Sequence, residues 1–212
     1  IVSSMEEETR QHEATQSFRR ILIAMHNYHD VHESFPPADR HLGKGGKRGL
    51  SWRVHLLPFL DELDLYRQFR LDEPWDSPHN KPLLAKMPDA YARLGLGLAK
   101  PAIEQGHTTF LAPVGKGTIF GGEKGTKFSQ IKDGTSNTIA LVEVKGDRAV
   151  PWTAPRDYIF DPERPLEGVR IRADKWLAAF ADGSTRFLSK DLPNETVLRL
   201  FQMNDGQPVD LR

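Results

Sequence analysis

Apolar residues recur with a helical period near the start of the chain and with a strand period in its second half. Ala14, Phe18, Ile21, Leu22, Met25 and Tyr28 follow one another at steps that place them on one stripe of a helix. The pattern predicts a helix from Met5 to Val31. Glu6, Glu7 and Glu8 fall in its first turn, where the helix dipole favours anions, and Pro36-Pro37 forbids its continuation. The stripe is apolar only from Ala14 onward. The first two turns are polar all round, and the expectation is that they project away from the core. A second helix is predicted from Ser51 to Phe69, with Ser51 as N-cap, Val54, Leu57, Leu60, Leu65 and Phe69 as its apolar face, and a kink at Pro58. The stretch from Glu73 to Asn80, rich in Pro and Trp, reads as an ordered loop.

From His107 the pattern changes. Thr108 to Val114, Thr126 to Ile131 and Thr138 to Val144 read as strands between Gly-rich turns. Ile139-Ala140-Leu141-Val142 is apolar on both faces, which predicts a central strand. The clearest hairpin is Lys175 to Leu188, with Asp182-Gly183 as a two-residue turn. That register puts Trp176, Ala178, Phe180, Thr185 and Phe187 on one face, the predicted core face. A last helix is expected from Glu195 to Met203, capped by Asn194 and ended near Asp205-Gly206. Helix first and strands later imply an α+β fold with an antiparallel sheet.

Composition narrows the class. The 212 residues fit a single domain spanning 1–212, large enough to bury a core without staples. The 29 basic and 29 acidic residues cancel, so no global field draws the chain to nucleic acid. No cysteine is present, which removes disulfide, thiol and zinc-finger chemistry. No run of 18 apolar residues occurs, so nothing in this sequence reads as a membrane span.

Candidate chemistry is sparse. His26, His29 and His32 lie three apart on the first helix, and their rings fan over about 120°, too widely to converge on one ion. Packing at the edge of the helix–sheet interface explains them better. Lys44, Lys47 and Arg48, in the Gly-rich loop 43–49, are candidates for gripping phosphate or an acidic glycan, although such loops are mostly just solvated. Trp75 and Trp152 sit in Pro-rich segments, where they either stack on a sugar or pin those segments to the body; pinning is favoured. Asp133, Ser136, Asn137 and Glu143 supply hard oxygens near turns, without the spacing of an EF-hand. Ordinary turn chemistry accounts for them as well. Gly115-Lys116-Gly117-Thr118 is too short for a phosphate-binding loop, and no nucleophile elbow or zinc-protease motif appears. The expectation is a non-enzymatic protein.

Five segments together resemble a known family. They are His26-Asn27-Tyr28-His29-Asp30 leading to Phe35-Pro36-Pro37-Ala38, then Ser51 to Leu60, then Glu73 to Asn80, then Asp133-Gly134-Thr135-Ser136-Asn137-Thr138-Ile139 with Glu143, and Phe180-Ala181-Asp182-Gly183-Ser184. In that order they resemble the bacterial pilin-like family of domain of unknown function 1559, also described as an extracellular solute-binding family. The resemblance implies a pilin-like fold: a long N-terminal helix packed on an antiparallel β-sheet, with extra helices and long ordered loops. It also implies a structural subunit of the cell envelope, like a type II secretion pseudopilin or type IV pilin. Such a subunit is anchored in the inner membrane by an apolar helix upstream of Ile1 and faces the periplasmic or extracellular side. Its partners would be other pilin-like or secretion-system subunits, and the isolated domain would be a monomer. Calcium at Asp133, Asn137 and Glu143 is the one cofactor the resemblance suggests. The alternative is an extracellular solute- or glycan-binding module that uses Lys44, Lys47, Arg48, Trp75 and Trp152. A hydrolase ranks last. One departure from the family pattern stands out: Arg172 occupies the place of the family's usual His, ten residues before Asp182.

Overall fold

A helix of 29 residues, α1 (Ser4–His32), lies across one face of an antiparallel sheet in the computed structural model, which describes residues 4–42, 47–92, 105–207, 209 and 211. Its buried stripe is Ala14, Phe18, Ile21, Leu22, Ala24, Met25 and Tyr28, the positions the periodicity predicts plus Ala24. The helix stops where Glu33 turns into the left-handed region at φ 59° and its N–H bonds the His29 carbonyl at 2.7 Å. A hairpin follows, β1 (Asp39–Leu42) with β2 (Lys47–Ser51). Two short helices come next, α2 (Trp52–His55) and α3 (Leu63–Tyr66).

The second half supplies β3 (His107–Thr108), β4 (Phe110–Leu111), β5 (Pro113–Val114), β6 (Ile139–Glu143), β7 (Val150–Pro151), β8 (Tyr158–Ile159), β9 (Lys175–Phe180), β10 (Thr185–Ser189) and a final helix α4 (Asn194–Phe201). The main sheet has the order β10-β9-β6-β4, antiparallel throughout. β6 is central, as its two-faced apolarity predicts, and all five of its residues are buried. On one face, α1 packs Phe18 and Leu22 into a cluster with Phe110, Leu141, Leu177 and Ala179. On the other, α4 sets Val197, Leu200 and Phe201 against Ile139, Val142, Trp176 and Phe180. The Trp176 and Phe201 rings lie parallel with centroids 6.3 Å apart. The fold is therefore α+β, with the sheet buried between helices.

Several expectations need correction. The helix predicted over Ser51–Phe69 is broken into α2, a 3-10 turn at Leu57–Phe59 and α3; Pro58 has no N–H to continue the ladder. Ser51 does cap α2, accepting from the Arg53 N–H at 3.2 Å. The strand expected over Thr126–Ile131 is a 3-10 turn at Phe128–Gln130, and the one over Thr108–Val114 is divided into β3, β4 and β5. The last helix ends at Phe201 and Asn194 makes no side-chain cap.

The hairpin turn is longer by one residue than expected. The Phe180 N–H bonds the Ser184 carbonyl at 2.8 Å, so Ala181, Asp182 and Gly183 form a three-residue loop with Gly183 at φ 91°. That slip pairs Phe187 with Leu177 rather than with Ala178. Phe187 and Thr185 therefore face away from Trp176, Ala178 and Phe180, and Phe187 is 40% exposed. Leu188, opposite Trp176, takes the core position instead.

Candidate functional site: a cleft over a buried ion pair

Arg53 is a charged residue inside an apolar run, and it is fully buried. Its Nη1 donates to the Ser51 Oγ at 2.7 Å, and its Nη2 donates to the Asp157 Oδ1 at 2.7 Å and the Arg156 carbonyl at 3.1 Å. Asp157 also accepts from the Trp52 Nε1–H, 3.1 Å from each oxygen, and from the Ala112 N–H at 2.9 Å. The Arg53 carbonyl accepts from the Tyr91 hydroxyl at 2.9 Å. Burial pushes the Asp157 carboxyl up, while the Arg53 charge and these N–H donors pull it back. Burial likewise lowers Arg53, opposed by Asp157. One ion pair thus ties α2, the β4–β5 segment, Tyr91 and the stretch 151–158 together.

Above it opens a cleft of about 820 Å³. Leu111, Val144 and Tyr158 are buried residues at its base, with Val114 beside them, and Phe120 to Glu123 and Ala38–Asp39 supply one wall. The stretch 148–168 supplies another. It carries two ion pairs, Arg148 with Glu167 at 3.3 Å and Arg164 with Asp161 at 3.1 Å. Arg156, also lining the cleft, holds its guanidinium 5.7 Å from the centre of the Trp75 ring.

The residues singled out from sequence are scattered among other tasks. Lys44 lies outside the described residues, and the backbone of Lys47 and Arg48 lies on β2. Trp152 is fully buried, stacked on Tyr91 at 5.9 Å and donating its Nε1–H to the Leu84 carbonyl at 3.0 Å, so it pins the loop and offers no sugar platform. Trp75 is half-buried beside Arg156.

The calcium set is not assembled. The Asp133 carboxylate accepts the N–H groups of Asp205 at 2.7 Å and Gly206 at 2.9 Å, and the Asn137 amide donates to the Asp133 carbonyl at 3.0 Å. Glu143 belongs to a different cluster. It meets Arg170 at 3.3 Å and Arg172 at 3.0 Å, and Arg172 reaches Glu7 on α1 at 3.5 Å. Among the described residues no three His, Asp or Glu side chains stand together as a metal site would need. The first turns of α1 are mostly exposed, as their polar pattern predicts, with Ser4, Met5, Glu6, Glu8 and Thr9 open to solvent, and Glu7 is the residue that reaches back to Arg172. The three histidines behave as packing groups. His26 donates to the Ala181 carbonyl at 2.6 Å, His29 accepts from the Phe128 N–H at 3.2 Å, and His32 stacks on Tyr28. Burial lowers His29, consistent with a neutral ring that accepts.

Sequence reasoning missed Arg53, Asp157 and the cleft-lining charges of 148–168. A lone Arg in the run Trp52-Arg53-Val54 was the visible signal for the first; partners over a hundred residues away gave none.

One of three comparisons with known proteins gives a match. A family model described as protein of unknown function (DUF1559) matches residues 3–113 and 101–176. The search of curated proteins and the search of solved structures each return no match.

Proposed function

The chain belongs to the family of proteins of unknown function DUF1559, and from that premise we propose that it is a non-enzymatic, pilin-type structural subunit of the cell envelope. The observation that carries this reading is α1, a 29-residue helix laid on an antiparallel sheet. Its outer face stays exposed, with Ile23 at 60% and Val31 at 66%. An apolar residue exposed on the outside of such a helix suits packing against neighbouring subunits. In this reading the full-length protein is held to the inner membrane by an apolar segment ahead of α1, the domain lies on the periplasmic or extracellular side, and its partners are other pilin-like or secretion-system subunits. Among the described residues no helix is itself long and apolar enough to cross a membrane.

These 212 residues hold no cysteine, so introduced cysteines can be compared with the unsubstituted protein as the background. Ile23→Cys and Asn27→Cys, each introduced alone in the full-length protein, should give disulfide-linked dimers in intact cells, the largest species one cysteine per subunit allows. A cysteine at Lys190, away from α1, should not. Monomers alone at the α1 positions would sink the proposal.

A second reading, capture of a solute outside the cell, is favoured by the cleft of about 820 Å³ above the Arg53–Asp157 pair. Its size lies inside the range of roughly 300–1,000 Å³ common for small-molecule sites.

A further inference from the structure

We propose that the cleft over Asp157 binds a neutral oligosaccharide; this rests on the solute-capture reading and specifies its ligand. Two features of the cleft carry the inference: its charge balance and its mixed surface.

Three arginines line it, Arg148, Arg156 and Arg164. Against them stand Asp39, Glu123, Asp161 and Glu167, while Asp157 is matched from beneath by Arg53. Four carboxylates thus face three guanidiniums, close to balance with one charge on the acidic side, among the described residues. An anionic ligand would compete with Glu167 and Asp161 for their arginines and meet Glu123. A cationic ligand would meet the arginines of the same pairs. At Arg148–Glu167 and at Arg164–Asp161 a charged solute would therefore have to break an ion pair to gain its own, and Arg156 is already held over the Trp75 ring.

Each pair instead presents a guanidinium donor and a carboxylate acceptor side by side. Both pairs are open to solvent, with side-chain exposures of 58% and 49% for Arg148 and Glu167, and 68% and 33% for Arg164 and Asp161. Neighbouring hydroxyls on a sugar ring match that arrangement, because one hydroxyl accepts from Arg while the next donates to the carboxylate. Both ions stay paired when the ligand binds. The apolar surface that the cleft offers comes from half-buried Val114 and from Ile159, 75% exposed, beside the buried Leu111 and Tyr158, and it suits the C–H face of a pyranose ring. A volume of about 820 Å³ has room for more than one ring, so the ligand proposed is an oligomer.

The test is a titration of the ¹⁵N-labelled domain with maltotetraose, cellotetraose and chitotetraose, alongside tetragalacturonate and an alanine tetrapeptide, followed by amide shifts. The expected result is saturable shifts at Leu111, Val114 and Tyr158 with at least one neutral tetrasaccharide, at a Kd of about 1 mM or tighter. Arg148→Ala and Arg164→Ala together should weaken that Kd at least about tenfold, while the spectrum elsewhere stays native. Preference for tetragalacturonate or the peptide at the same amides would overturn the neutral-sugar assignment and leave solute capture standing. No shift with any of the five probes would overturn both. Binding unaffected by the double substitution would also overturn the proposal, since the ion pairs would then have no part in recognition.

Discussion

At the scale of single residues, Arg53 and Asp157 are the pair whose loss should be felt most. The two side chains are 0% and 2% exposed, so each depends on the other to remain charged in a dry place. Arg53→Met leaves a buried carboxylate facing Trp52 and the Ala112 N–H without its cation. Asp157→Asn leaves a buried guanidinium without its anion. Each single change is expected to cost about 3–5 kcal/mol in urea denaturation at pH 7. The double variant Arg53→Met, Asp157→Leu should cost clearly less than the sum, because no lone charge is left inside. Additive costs, or single costs below about 1 kcal/mol, would mean that water reaches the pair. The surface pairs behave differently: Arg67 with Asp64, at 68% and 97% exposure, is of the kind worth about 0–1 kcal/mol.

At the scale of elements, two glycines separate the demands of backbone conformation from those of space. Gly183, in the β9–β10 loop, has φ 91° and nothing within 4 Å of where a Cβ would stand. Gly183→Ala is expected to cost about 1 kcal/mol, the strain of a left-handed alanine. Gly106, just before β3, has φ 72°, and a Cβ there would lie 2.1 Å from the Leu84 carbonyl oxygen. Gly106 also accepts from the Trp152 N–H at 2.9 Å, so the backbone cannot move aside without disturbing a buried tryptophan. Gly106→Ala should therefore lower the Tm by at least twice the shift seen for Gly183→Ala in thermal unfolding. Equal shifts would show that the contact at Leu84 yields at little cost. The hairpin itself shows how turn length decides a strand: one extra loop residue moves Phe187 out of the core and brings Leu188 into it.

At the scale of the whole molecule, the domain as described is expected to be a monomer in light scattering up to roughly millimolar concentration. Its exposed large apolar residues are spread over several elements, and positive and negative charges cancel overall. The outer strand β10 carries Arg186 and is followed by Lys190, charges that discourage edge pairing. A stable dimer that persists in high salt would place an interface within the domain itself. Much of this architecture is written in local pattern. The stripe from Ala14 to Tyr28 determines α1, the two-faced run Ile139–Val142 determines a central strand, and Asp182-Gly183 determines a turn, because period and turn chemistry act over neighbouring residues. The family was likewise legible from five short segments. Tertiary structure alone decided the rest. It broke the Ser51–Phe69 helix, set the hairpin register, and tied Glu7 of α1 to Arg172, which also holds Glu143. It also placed Arg53 on Asp157, joining residues 104 apart in sequence, and brought Asp157 into the lining of the cleft. Periodicity reports which face of an element is buried, but only the packing of distant segments determines which charges meet there and what space they leave open.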